Sequence, residues 1–201
     1  PRGGGGGGCT EAGLESTAGG ETTACSAASA RRFKDVVVTG ASSNHFLSLL
    51  QLVDSLLVSL ELTGGFSTIL IYDLGLLPQQ LQQLRELECA ACVLRAMDFS
   101  HYPPHVSNLH VFAWKPPIIQ QVLLEAETVL WLDAGCLVRG SLVSAFDVIR
   151  QHGVFMVTSF GRTGTLTHPA MIQREGALDL VEKLILMDGV VGFRSPSRWV
   201  A

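Results

Sequence analysis

With 201 residues and a formal net charge of -4, the chain is long enough for one domain with a sizeable core and lacks the basic surplus that a nucleic-acid partner requires. Its only crowded cations are Arg31, Arg32 and Lys34. The apolar fraction of 47% and mean hydropathy of +0.34 are high. Yet the most apolar stretches are interrupted by Asp54, Ser59, Glu61 or Asp73, short of the ~20 residues a membrane-spanning helix needs, so no membrane span is expected.

The first segment, 1–32, contains the run Gly3 to Gly8 with scattered Ser, Thr and Ala. It offers too little apolar surface to offset its ordering entropy and is expected to be a disordered tail. It is not a phosphate-cradling loop, because no Gly-Lys-Ser/Thr follows to open a helix. The folded domain is expected over 33–201.

Within that domain, Asp35 to Thr39 is a β-branched run followed by the turn Gly40 to Asn44. From His45 to Leu60, leucines and valines recur every three or four residues and predict one helical face. Gly64-Gly65 ends this unit. Thr68 to Tyr72 reads as a second strand, Pro78 to Glu88 as a helix and Cys92 to Met97 as a third strand. A Pro- and His-rich loop then spans Asp98 to His110. Ala113 to Ala126 predicts a helix, with Pro116 and Pro117 acceptable near its start. Thr128 to Leu132 is a strongly apolar fourth strand ending in Asp133-Ala-Gly135. Further on, a helix over Leu142 to Arg150, a strand over Val154 to Val157 and a helix from Pro169 to about Met187 are expected. Strands alternating with helices predict an α/β fold with a mostly parallel, Rossmann-like sheet flanked by helices.

In such sheets a ligand binds beyond the carboxyl ends of the strands. The candidate loops are therefore Gly40 to His45, Tyr72 to Gly75 and Asp133 to Gly135. Asp73 and Asp133 either cap turns or face a ligand. Val36 to Ser43 opens like a short-chain dehydrogenase fingerprint, but Asn44 and Phe46 stand where its glycines belong, and neither Tyr72 nor Tyr102 has a Lys four residues later. The dinucleotide reading thus fails on two independent counts and ranks third behind those below. Cys89 and Cys92 form a Cys-x-x-Cys without the second pair of a zinc site.

Val129-Leu-Trp-Leu-Asp-Ala-Gly-Cys-Leu-Val138 resembles the strand-plus-acid element of glycosyltransferases with the GT-A fold. Ala41-Ser-Ser-Asn-His45, Ile71-Tyr-Asp-Leu-Gly-Leu76, Asp98-Phe-Ser-His-Tyr-Pro103, His105-Val-Ser-Asn-Leu109 and Trp114-Lys-Pro116 occur in order before it. Together they are similar to a poorly characterised eukaryotic group in the nucleotide-diphospho-sugar transferase superfamily. The resemblance covers Asp35 to about His168.

The resemblance implies a nucleotide-sugar donor and transfer of the sugar to an acceptor of unknown kind, whether glycan, protein or lipid. Ser42 and Ser43 would line the base and ribose, with Asp73 beside them. Lys115 would meet the diphosphate or sugar, and Asp133 would be the first acid of the Asp-x-Asp element, a ligand for Mn²⁺ or Mg²⁺. Gly135 replaces the second acid, which leaves a hard cation short of protein ligands. Three arrangements stay open: other residues complete the ion's shell, cationic side chains replace it, or the module binds without catalysing. His168 is a further candidate ligand. The resemblance also implies a secretory or Golgi location and an acceptor-binding half beyond this N-terminal part.

Overall fold

The computed structural model describes residues 33–196; the expected tail, 1–32, lies outside the described residues. Six strands form one sheet in the order β3-β2-β1-β4-β6-β5. They are β1 (Phe33–Ala41), β2 (Thr68–Asp73), β3 (Cys92–Ala96), β4 (Ala126–Leu132), β5 (Val154–Arg162) and β6 (Leu184–Arg194). β1 pairs in parallel with β2 and β4, and β2 in parallel with β3. β6 runs antiparallel between β4 and β5. The expected mostly parallel α/β sheet is present, made mixed by the antiparallel β6.

The continuous apolar runs of β1, β2 and β4 follow from burial on both faces. Alternate side chains point to opposite sides. Val37, Ile69, Ile71 and Leu130 join one core with Leu49, Leu52 and Leu56 of α1 (Phe46–Thr63), whereas Val36, Val38, Leu70 and Trp131 join the other. The first core also takes Leu84 of α2 (Pro78–Glu86) and Phe146 and Ile149 of α5 (Val143–His152). The second takes Val106 of α3 (Pro104–Ser107) and Ile118 and Val122 of α4 (Lys115–Glu125). Each fully buried leucine stabilises the fold by ~1.5–3 kcal/mol.

The segment 43–63 that contains α1 is apolar and long enough to cross a bilayer by composition, with a mean hydropathy of 1.6. In the fold its inner face is buried in the sheet while Gln51, Asp54 and Glu61 are exposed. Two buried serines on α1 hold the chain that leaves β4. Ser55 Oγ accepts the Val138 N–H at 3.1 Å, and Ser59 Oγ donates to the Gly140 carbonyl at 2.8 Å.

The carboxyl-terminal third departs from the expected helix reaching Met187. The chain forms a four-residue α6 (Thr163–Leu166), then α7 (Pro169–Arg174), and returns as β6. Gly176 explains the stop: with φ of 63° it adopts the left-handed conformation that ends a helix, and the next N–H, from Ala177, closes back on the Ile172 carbonyl at 2.9 Å. Leu184, Leu186 and Met187, expected at the end of that helix, lie on β6 instead. Val190 and Val191 of β6 stand opposite Leu132 and Trp131. The fifth strand likewise extends beyond Val157, to Arg162.

Cys89 and Cys92 are joined in a disulfide that clips the turn leading into β3. The pair is placed after α2 and not at a helix N-terminus, the setting that activates a thiolate.

The packing of β6 beneath α5 leaves no space at Gly192, where an added Cβ would lie 2.4 Å from Ile149 Cδ1. Gly192→Ala is expected to lower unfolding stability by ~1–3 kcal/mol, measured by urea denaturation.

Candidate functional site

The carboxyl ends of β1 and β4 open into a cleft of ≈ 540 Å³. One side is formed by the chain leaving β1, with Gly40, Ala41, Ser42, Asn44 and His45. The floor is Asp133, Ala134 and Gly135 after β4. An apolar wall of Leu109, Phe112 and Trp114 closes it, with His110 and Leu74 at its margins. Since β2 and β4 flank β1 on opposite sides, the crossovers diverge here, which is where open α/β sheets place their ligands.

The most constrained group beside this cleft is Lys115. It is the first residue of α4 and is buried, with 7% of its side chain exposed. A cation at a helix N-terminus meets the positive end of the macrodipole, and burial adds a desolvation penalty. Carboxylates offset both. Lys115 Nζ forms an ion pair with Asp133 Oδ1 at 2.9 Å and donates to Asp188 Oδ2 at 3.2 Å and to the Asp188 carbonyl at 3.0 Å. It also lies 5.6 Å from the centre of the Trp131 ring. Two of its three protons are thus used on Asp188, and the Asp133 carboxylate pairs with the charge.

Asp133 is held from two sides. Its Oδ1 accepts the Trp131 indole N–H at 2.6 Å and forms the ion pair with the Lys115 ammonium. Trp131 and Asp133 are two residues apart, so both point to the same face of the strand. The aspartate side chain is 41% exposed. Gly189 stands beside it, and a Cβ there would come within 3.1 Å of Oδ2.

The remaining candidates are distributed unequally. Ser42 lines the cleft and donates to Asn44 Oδ1 at 2.6 Å. Ser43 instead joins the neighbouring turn: its N–H binds the Gly75 carbonyl, and its own carbonyl accepts from Gln80. Asp73 Oδ1 accepts the N–H groups of Gly75 and Leu76 at 2.8 and 2.7 Å, a turn-capping arrangement. His168 caps α7, its Nδ1 accepting the Ala170 N–H. Asp188 and Phe112 escaped the sequence reading. Asp188 falls just past the expected helix, and only the register of β6 brings it to Lys115.

The donor set does not fit a divalent ion. Among the described residues no three His, Cys, Asp or Glu side chains converge. Gly135 offers no carboxylate, and the carboxylates of Asp133 and Asp188 already share the Lys115 ammonium.

Cys136 is a free thiol next to this floor, with Sγ 3.7 Å from the Gly189 carbonyl. Burial, and then the Asp133 charge, push its pKa up from the ordinary thiol value.

Sheet order and cleft together define an α/β domain with the GT-A-like fold. The galactosyltransferase LgtC, solved with donor and acceptor sugar analogues, is similar with a TM-score of 0.57 at 16% identity. The match covers 79% of this chain and 57% of LgtC. The apo bifunctional glycosyltransferase WbbM gives 0.55 at 13% identity, covering 82% of this chain and 32% of WbbM. The chain therefore spans little more than half of the one enzyme and a third of the other. No curated protein sequence matches. Residues 18–120 match the family described as "Protein of unknown function (DUF1647)", and the chain belongs to that family.

Two outcomes are expected. Asp133→Ala should cost ~2–4 kcal/mol in urea denaturation, because a buried ammonium and an indole N–H each lose an acceptor; Lys115→Met, which removes the charge and keeps the volume, should cost less. Cys136 should react slowly with iodoacetamide at neutral pH and faster only as pH rises, since a raised pKa leaves little thiolate; peptide mapping by mass spectrometry reads it site by site.

Proposed function

We propose that the cleft is the donor site of a glycosyltransferase-like domain and binds a nucleotide diphospho-sugar. The observation that carries this reading is the cleft itself, placed where β1 and β4 end and floored by an aspartate oriented by Lys115 and Trp131. Its volume of ≈ 540 Å³ suits a ligand of this class. The likeness to LgtC supports the fold on which the reading rests.

In this reading Ser42 and Asn44 meet the base and ribose. Ser43 and Asp73 shape the adjoining turn and hold that loop in place. Asp133 directs its less engaged oxygen at ligand hydroxyls. Lys115 has a second role toward the diphosphate. Asp188 is 82% exposed and holds the ammonium by the longest of its three contacts, so a phosphate oxygen takes its carboxylate's place at Lys115 while Asp188 returns to solvent. The ammonium then offsets charge that would develop on a departing diphosphate. No step is assigned to Mn²⁺ or Mg²⁺, given the donor set. The acceptor, a glycan, protein or lipid, would be met by parts of the protein outside the cleft.

A second reading, a nucleotide-sugar-binding module without catalysis, draws on Gly135 and on the aspartate pair already engaged by Lys115. A secretory or Golgi location agrees with the Cys89–Cys92 disulfide, since such bonds persist in oxidising compartments.

The test is calorimetric titration with UDP and with GDP, each with Mn²⁺ and with a chelator. Binding of one of them, strengthened no more than a few-fold by Mn²⁺, is expected. Lys115→Met should weaken it about tenfold or more and Asp188→Asn should leave it equal or tighter, as charge-assisted contacts are worth ~1.5–3 kcal/mol. No binding of either nucleotide to the folded protein would overturn the reading. Sugar transfer by the complete protein would remove the non-catalytic alternative.

A further inference from the structure

Phe112 combines three properties that do not belong together in a structural residue. It lines the cleft, its side chain is 59% exposed, and its backbone has φ of 55° and ψ of 13°, the left-handed conformation. An exposed phenylalanine alone needs no explanation. Among the described residues, however, no other non-glycine residue has a positive φ, and the conformation is unfavourable for a bulky side chain. Glycine or asparagine would serve this turn better.

The turn nonetheless holds the phenylalanine firmly. The Phe112 N–H binds the Leu109 carbonyl, and its own carbonyl accepts the Lys115 N–H, both at 3.3 Å. The Trp114 indole N–H reaches the same Leu109 carbonyl at 3.2 Å. Behind Phe112 the rings continue inward: its centroid is 6.5 Å from that of Trp114, which is 5.7 Å from that of Trp131. Trp131 in turn donates to Asp133. The exposed ring is thus the outer end of an aromatic series whose inner end orients the acid on the cleft floor. Backbone strain maintained by its surroundings is a recurrent property of ligand-binding positions.

We infer that Phe112 is a stacking platform for a planar or ring-shaped part of the ligand. This rests on the nucleotide-sugar reading. Ser42, Asn44 and Asp133 offer hydrogen bonds to the polar edges of a ring, whereas the wall of Leu109, Phe112 and Trp114 offers an apolar face. A nucleobase and a pyranose both present such a combination of polar edge and flat face, and binding data separate them.

The experiment compares Phe112→Gly and Phe112→Trp with the unaltered chain, by thermal melting and by titration with UDP, GDP, UDP-galactose and GDP-mannose. Phe112→Gly should melt at or above the unaltered protein, because it relieves the left-handed strain, yet bind roughly 5- to 100-fold more weakly, the range that base–aromatic stacking supplies. Phe112→Trp, which keeps a ring, should retain affinity. Equal losses for a nucleotide and its sugar conjugate assign the ring to the base; a loss confined to the conjugate assigns it to the sugar. A glycine variant that melts lower and binds normally overturns the inference and leaves the donor-site reading standing. An unaltered chain that binds none of the four ligands overturns both.

Discussion

Lys115 sits where a lysine is electrostatically least welcome, buried at the amino end of a helix, and the arrangement of the site follows from how that charge is satisfied. The ammonium pairs with Asp133 at the end of β4 and donates to Asp188 on β6. One ammonium therefore ties together α4, the central strand β4 and the single antiparallel strand. The chain beyond β4 is held from the opposite core by Ser55 and Ser59 of α1. The floor of the cleft is consequently anchored on both faces of the sheet.

This anchoring has a chemical consequence for the acid. Asp133 Oδ1 is shared between an ammonium and an indole N–H, which holds the carboxylate in one orientation. A GT-A site that relies on a divalent ion needs several oxygen ligands around it; here a resident side-chain cation lies between the two carboxylates. The same feature makes Gly135 intelligible, since a second acid there would add negative charge where the lysine already serves two. Phe112 and Trp114 complete the site with apolar surface, so the cleft combines one oriented charge pair with an aromatic wall.

Much of the scaffold could be read from residues alone. Val36-Val-Val38, Ile69-Leu-Ile71 and Val129-Leu-Trp-Leu132 are continuous apolar runs because both sheet faces are covered. The leucine spacing in α1 announced its buried face. Asp133 stood out because an acid closes an otherwise apolar strand. Asp73 was ambiguous between turn cap and ligand group, as one side chain suits both, and in the fold its oxygen accepts two turn N–H groups. The start of the return strand β6 fell inside the helix expected from Pro169 to about Met187, although Gly176, in the left-handed conformation, ends the helix well before it.

What the sequence determined by itself was local: where apolar periodicity changes, where glycine and proline interrupt it, and which strands end in polar residues. These depend on backbone preferences and burial of neighbouring residues. Only the tertiary structure decided that Asp188 meets Lys115 from 73 residues away, that Cys89 bonds Cys92, and that Phe112 faces the cleft with a left-handed backbone. The first is a matter of strand register across a sheet. The last is a conformation that a phenylalanine does not favour alone and adopts only when surrounding hydrogen bonds and ring contacts hold it there.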